Sequence, residues 1–220
     1  HVTASLNWKS ARSDAGIGVC PSGVLALLRG MREWKARRTG CITSNVAEAG
    51  AFLRTEPGLH ASDIELEFVV AMVDDHGRKL HWGHGFGLHV TLTRPRSRGE
   101  VRLASLDARQ SLHINPRYFS DPDDMPRLVR GVQRALHIMN DEAMAPWRGP
   151  MLAPLSANDP DGIERELRRS ADTEYHPVGT CRMGTDELAV VDPQLRVRGI
   201  ERLRIADASI MPTLIGGNTN

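Results

Sequence analysis

Residues 174–184 read EYHPVGTCRMG, with one histidine held between a tyrosine and a proline just ahead of a glycine turn. An imidazole titrates near neutrality, so His176 has the chemistry to take up or release a proton during a reaction. Pro177 biases the residue before it toward extended backbone and so restricts where the His176 side chain can point. Cys181 is a candidate thiolate nucleophile paired with that histidine. A third group to orient the pair is not evident, and a buried structural thiol is the expectation. Spacing at this level leaves two readings of His176 open, a proton-transfer catalyst and a turn histidine.

A second histidine-rich run, HWGHGFGLH at 81–89, raises the question of a metal. No cysteine or carboxylate stands at ligand spacing around His81, His84 and His89, and His89 falls within an alternating strand pattern, so no metal is expected. The glycines of GHGFG and of GIGVCP (16–21) do not complete G-x-G-x-x-G, and no P-loop is present. The chain therefore shows no dinucleotide fingerprint of its own.

The elements that must position these groups follow from periodicity. Residues 21–36 read as a helix with Val24, Leu25, Leu28 and Met31 on one face,. The stretch 43–58 reads as a loop and a short strand. Over 63–73, Ile64, Leu66, Phe68, Val70 and Met72 alternate with Asp63, Glu65 and Glu67, a strand with one apolar face,. After a DDHG turn, 86–94 alternates again, and RPRSRG leads into a third strand over Glu100–Leu106 joined to it by a short turn. Residues 113–119 add a short edge segment. Residues 121–140 form a helix with Pro122 at its first position and Asp123 and Asp124 at the positive end of its dipole. Its core stripe is Met125, Leu128, Val129, Val132, Leu136 and Met139,. Another helix runs from Pro160 to Ser170, opened by Asn158 or Asp159, and strands are expected at 189–197 and 202–207. The class is α+β, an antiparallel sheet flanked by helices.

With 220 residues the chain can bury a substantial core, and 40% hydrophobic with 25% charged residues is globular composition,. Balanced charge, 28 basic against 27 acidic residues, gives no reason to expect nucleic acid,. No apolar run reaches the length of a membrane span. Three widely spaced cysteines imply reduced thiols and a cytoplasmic setting, with peripheral membrane association left open,. The chain begins at His1 and stops after GGNTN, ends that look like those of a fragment.

YHPVGTCRMG (175–184), VVDPQLRVRGIERLRIADASIMP (190–212) and TLIGGNTN (213–220) stand in this order at close spacing. Together with SNVAEAGAF, RPRSRGEVRL and NPRYFSDPDD upstream, they resemble the C-terminal half of the glucose–methanol–choline family of flavin-dependent alcohol oxidoreductases. The resemblance implies a substrate-binding domain over 1–189 whose antiparallel sheet covers a flavin. It also implies a segment, 190–220, that returns to a Rossmann-like FAD-binding domain, whose N-terminal ADP-binding region this chain lacks. The family oxidises an alcohol by removing its hydroxyl proton and passing hydride to flavin N5.

His176 matches the family's catalytic histidine, and Asn218 its second catalytic position. An amide can hydrogen-bond the substrate oxygen but is no base at neutral pH, which assigns any base role to His176. Asp207, Ala208, Gly217, Asn218 and Thr219 match cofactor-contacting positions, and Gly216 with Gly217 would let backbone approach the ring. For Asp207 a turn-stabilising role stays equally open. Tyr175, Glu48 and Glu67 are candidate pocket residues. Choline-oxidising members tend to carry an aromatic before Glu48, where this chain has Ala47, and Glu67 stands where a histidine is common. With ten aromatic residues in all, the reading favours a small-molecule alcohol other than choline. The electron acceptor is left open, choline dehydrogenase or oxidase is the alternative, and a non-catalytic sheet domain is a third reading.

Overall fold

The computed structural model describes residues 1–219; Asn220, the last residue of the TLIGGNTN motif, lies outside the described residues. Its main sheet is antiparallel and built from β1 (Val2–Ser10), β3 (Ala47–Leu53), β4 (Ile64–Val69), β5 (Gly83–Leu92) and β8 (Arg148–Met151), in the order β3-β4-β5-β1-β8. Two short strands join it, β2 (Gly18–Val19) on β5 and β9 (Asp172–Thr173) on β1. Helix α1 (Pro21–Arg37) follows β2, while α2 (Asp124–Asn140) and α3 (Pro160–Ser170) cover the sheet.

Alternation decides what each face of the sheet does. Val2, Ala4, Leu6 and Trp8 of β1, Ile64 and Leu66 of β4, and Phe86, Leu88, Val90 and Leu92 of β5 are buried. Against them α2 lays Met125, Leu128, Val129, Val132, Leu136 and Met139, the stripe expected from sequence, and α3 adds Ile163 and Leu167. Gly131 permits this close packing, because a Cβ there would stand 2.8 Å from Ile64 Cδ1. Residues on the opposite face are polar: Thr3 is paired with Thr91, Ser5 with His89, Glu65 with Thr91 and Glu67 with His89. Helix α3 begins as expected, with the Asp159 carboxylate accepting from the Gly162 amide at 2.9 Å,.

Several expectations need correction. No element was expected before residue 21, yet β1 there lies between β5 and the β8/β9 edge. Its Val2-Ala4-Leu6-Trp8 alternation was the available signal. The strand expected over 100–106 is shorter, β6 (Glu100–Arg102), and pairs only with β7 (His113–Asn115) in a separate ribbon. Strand β5 cannot take it, since β1 and β4 occupy both of its edges,. The 63–73 strand stops at Val69, where the chain peels away: Asn7 clamps Val73 through Nδ2 to its carbonyl at 2.8 Å and Oδ1 to its amide at 2.9 Å.

Helix α2 starts at Asp124, two residues later than expected, and Pro122 lies outside it. Asp124 is buried and accepts from Arg96 N, Ser97 N and Ser97 Oγ, at 2.6–2.8 Å, so it anchors the RPRSRG loop. The α1 stripe is not core: Val24, Leu25, Leu28 and Met31 are 44–57% exposed, because the helix packs on the short strand β2 and the Cys41–Thr43 turn and not on the sheet's apolar face. Neither 189–197 nor 202–207 forms a strand. Left-handed backbone at Leu195 (φ 66°) and Arg202 (φ 63°) breaks both runs, leaving isolated bridges of Val191 to Met183 and Val197 and of Arg196 to Arg204,.

Candidate active site

The path from the sheet to His176 is short. Strand β9 pairs Thr173 with Val2 and Asp172 with Thr3, and the chain then turns through Tyr175, whose φ is 63°. That left-handed conformation is uncommon for an aromatic residue, and the Tyr175 amide is taken up by Thr173 Oγ1 at 3.0 Å,. The Tyr175 hydroxyl bonds His76 Nδ1, and His76 Nε2 lies 2.9 Å from an Asp172 carboxylate oxygen, so the DDHG turn braces this loop. His176 itself is half-buried.

The C-terminal motifs converge on it. Met183 N donates to Ile210 O at 2.8 Å and Cys181 N to Ser209 O at 3.0 Å, which lays the HPVGTCRMG loop beside the DASI turn. Thr219 Oγ1 stands 3.0 Å from His176 Nδ1, and the His1 ring meets the His176 ring edge-on with centroids 5.5 Å apart. His1 Nε2 in turn contacts Ile215 O at 3.1 Å. Nδ1 thus meets both the Thr219 hydroxyl and the Thr219 amide, which donates to it at 3.4 Å, so one threonine fixes the ring with two groups,.

Thr219 thus contacts His176 directly, and Asn218 is its exposed neighbour. Asp207 accepts from Ser209 N at 2.8 Å and caps the Ala208–Ile210 turn, the turn-stabilising role left open on sequence, with Ala208 half-buried inside that turn. Gly216 lies against the Arg94 guanidinium, and a Cβ there would fall 2.2 Å from Arg94 Nη2, so a side chain would have to displace that arginine. Arg94, at the end of β5 and overlooked on sequence, is held by Ser62 O at 3.1 Å. Gly217 faces the Phe52 ring, 3.7 Å from where its Cβ would be. Glu48 is exposed and lines a shallow cleft with Ser44 and Asn45 whose lining includes neither Glu67 nor His176. All three cysteines are free, and Cys181 is half-buried.

Glu67 gathers partners that linear spacing hid. With His89, opposite it on β5, and Glu174, two residues before His176, it forms a group whose ligand atoms lie within 4.8 Å of one another. The carboxylates missing from the neighbourhood of HWGHGFGLH in sequence are supplied by other elements. Thr91 Oγ1 bonds Thr3 Oγ1 at 2.9 Å and lies 3.4 Å from Glu174 Oε2. Glu65 is 7% exposed, and burial, reinforced by the charges of Glu67 and Glu174, pushes its carboxyl up to about 7,. Burial also lowers the basicity of His89. Glu65 Oε2 and His89 Nε2 are both buried without a hydrogen-bond partner.

Fold and site together define an antiparallel-sheet domain that presents a histidine and an acidic polar face on the side away from its core. The GMC oxidoreductase family profile matches residues 95–220, and the chain belongs to that family. It is 40% identical over 212 residues to an alcohol dehydrogenase [acceptor] of Pseudomonas putida, covering 96% of this chain and 38% of that protein. To an oxygen-dependent choline dehydrogenase of Rhizobium rhizogenes it is 39% identical, covering 86% of this chain and 35% of the other. Among solved structures, pyridoxine 4-oxidase from Mesorbium loti superposes with a TM-score of 0.78 at 26% identity, covering 99% of this chain and 39% of that one. The chain thus spans well under half the length of these relatives. No helix among the described residues is long and apolar enough to cross a membrane.

The family is FAD-dependent. The residues beside His176 fit a flat heterocycle with polar edges. Gly217 brings no side chain, Asn218 offers an exposed amide, and His1 Nδ1 is a buried polar atom without a partner among the described residues.

Proposed function

We propose that this chain is the substrate-binding and catalytic C-terminal portion of an FAD-dependent alcohol dehydrogenase that oxidises an alcohol to an aldehyde. The observation that carries the reading is the meeting of His176 Nδ1 with Thr219 Oγ1 at 3.0 Å, two residues from opposite ends of the motif set. His176 takes the hydroxyl proton, Thr219 holds the ring through its hydroxyl and amide at Nδ1, and the Asn218 amide donates to the substrate oxygen,. Gly217, Asn218 and Thr219 would lie against the flavin, with Asp207 and Ala208 shaping the turn behind them; FAD, when bound, supplies the hydride acceptor. Residues 1–189 form the substrate domain, and 190–220 return to the flavin-binding part.

In the full-length flavoprotein, His176→Ala should lower alcohol-dependent dye reduction by roughly a hundredfold or more, as for losing a general base. Undiminished turnover would reduce His176 to a turn residue and end this reading.

A further inference from the structure

On the polar face of the sheet, Glu65 and Glu67 of β4 point the same way as His89 and Thr91 of β5, and Glu174 reaches the same patch from the loop that carries His176. Three carboxyl groups are therefore close together. The ion pairs among the described residues involve none of them. Nor does any lysine or arginine figure among the charges acting on Glu65. Uncompensated negative charge in a partly desolvated place is unfavourable and is ordinarily met by a cation or by protons.

A second, independent feature concerns hydrogen bonding. Glu65 is more than nine-tenths buried and its Oε2 lacks a donor, and His89 Nε2 is buried without a partner among the described residues. Buried acceptors without donors are rare in folded proteins and mark a place where a donor belongs. Among the described residues these carboxylates thus have no lysine or arginine partner and Glu65 Oε2 has no N–H donor, while the His1 amino group acts on Glu174 alone. A protonated amine supplies both positive charge and N–H donors. Acceptors arranged about an ammonium nitrogen at hydrogen-bond lengths near 2.9 Å lie about 4.7 Å apart. The ligand atoms of Glu67, His89 and Glu174 fall within 4.8 Å of one another. A quaternary ammonium has no N–H to give, and among the described residues lining the cavity with His89 and Glu174 only Tyr175 brings a phenol ring, too little for an aromatic cage,.

We propose that the patch of Glu67, His89 and Glu174, backed by Glu65, binds the protonated amine of an amino-alcohol substrate and so selects for primary or secondary amino alcohols. The inference rests on the alcohol-oxidising reading above. Glu174 and His176 are two residues apart in the chain, on either side of the Tyr175 turn, so the amine and the carbinol carbon belong to one small molecule with a short linker.

The test uses the full-length flavoprotein and linear amino alcohols of two to five carbons. Each is compared with the n-alkanol of equal heavy-atom count and with its N,N,N-trimethyl analogue. The expected result is a kcat/KM at least tenfold higher for the best amino alcohol than for its neutral isostere and its trimethyl analogue. Glu67→Gln combined with Glu174→Gln should bring that ratio to near one. In the unmutated enzyme, propylammonium should inhibit competitively where propan-1-ol at equal concentration does not, a readout that needs no variant to fold.

Parity between amino and neutral alcohols overturns the inference while leaving alcohol oxidation standing; failure of every alcohol removes the underlying reading instead. Preference for the trimethyl analogue overturns it too. So does activity lost to a chelator and restored by zinc or manganese, which would make the patch a metal site. Loss of flavin from the double Gln variant, with no inhibition of the parent by propylammonium, likewise counts against it.

Discussion

The two faces of one sheet follow opposite rules. On one, Ile64, Leu66, Val90 and Leu92 are 0–3% exposed and locked under α2 and α3. On the other, the residues between them in the same strands are Glu65, Glu67, His89 and Thr91, several buried without complete hydrogen bonding. A pleated strand turns successive side chains to opposite sides, so each strand contributes to stability with every second residue and to chemistry with the rest. The apolar face gains from burial alone. The polar face carries unmet charge and acceptors, a cost that the first face must offset, and such groups are expected where a ligand is to be recognised.

That contrast can be tested at single residues. Leu128 is fully buried in α2 against the apolar face, and Leu128→Ala should destabilise the protein by about 2–5 kcal/mol in denaturant unfolding,. A loss well below about 1 kcal/mol would mean that α2 is not what holds this face.

Glu65 lies at the opposite extreme. Its carboxyl ordinarily titrates near 4.5, and in the fold it is pushed up to about 7. The folded state therefore retains a proton that the unfolded chain releases between those values. Its stabilising contribution is complete below the lower value and is lost as pH rises through the higher one. Glu65→Gln should accordingly raise stability by about 2 kcal/mol at about pH 8 relative to about pH 5, measured as the change in unfolding free energy against the parent. An equal effect at both pH values would show that Glu65 is ionised throughout.

The smallest effect is expected at Thr91, whose hydroxyl bonds Thr3 and approaches Glu174. Thr91→Val keeps the shape and should cost about 1 kcal/mol or less, because Thr3 Oγ1 retains its contact with Val90 O at 3.4 Å,. A much larger loss would mean that the polar face is a cooperative network rather than a set of separate contacts.

Much of this was legible in the residues. The α2 stripe, the span of α3 with its Asp159 cap, the alternation of β4 and β5, and the motif set that joins the chain to its family all came from local pattern. Other parts were not. The exposed stripe of α1 has the same periodicity as that of α2, and periodicity says that a face is apolar without saying what covers it,. Residues 189–207 have extended-looking composition, yet positive φ at Leu195 and Arg202 turns them into loops. The edge that Glu100–Arg102 would have needed on β5 was already taken by β1, an element that went unassigned despite its own alternation.

By itself, the sequence determined the α+β class, the family and the candidacy of His176, because these depend on residue types at short spacing. Tertiary structure alone decided that Thr219 contacts His176 across 43 residues and that Glu174 lands beside Glu67 and His89. Contacts of that range depend on sheet register and loop path, and register is set by pairing between strands far apart in the chain.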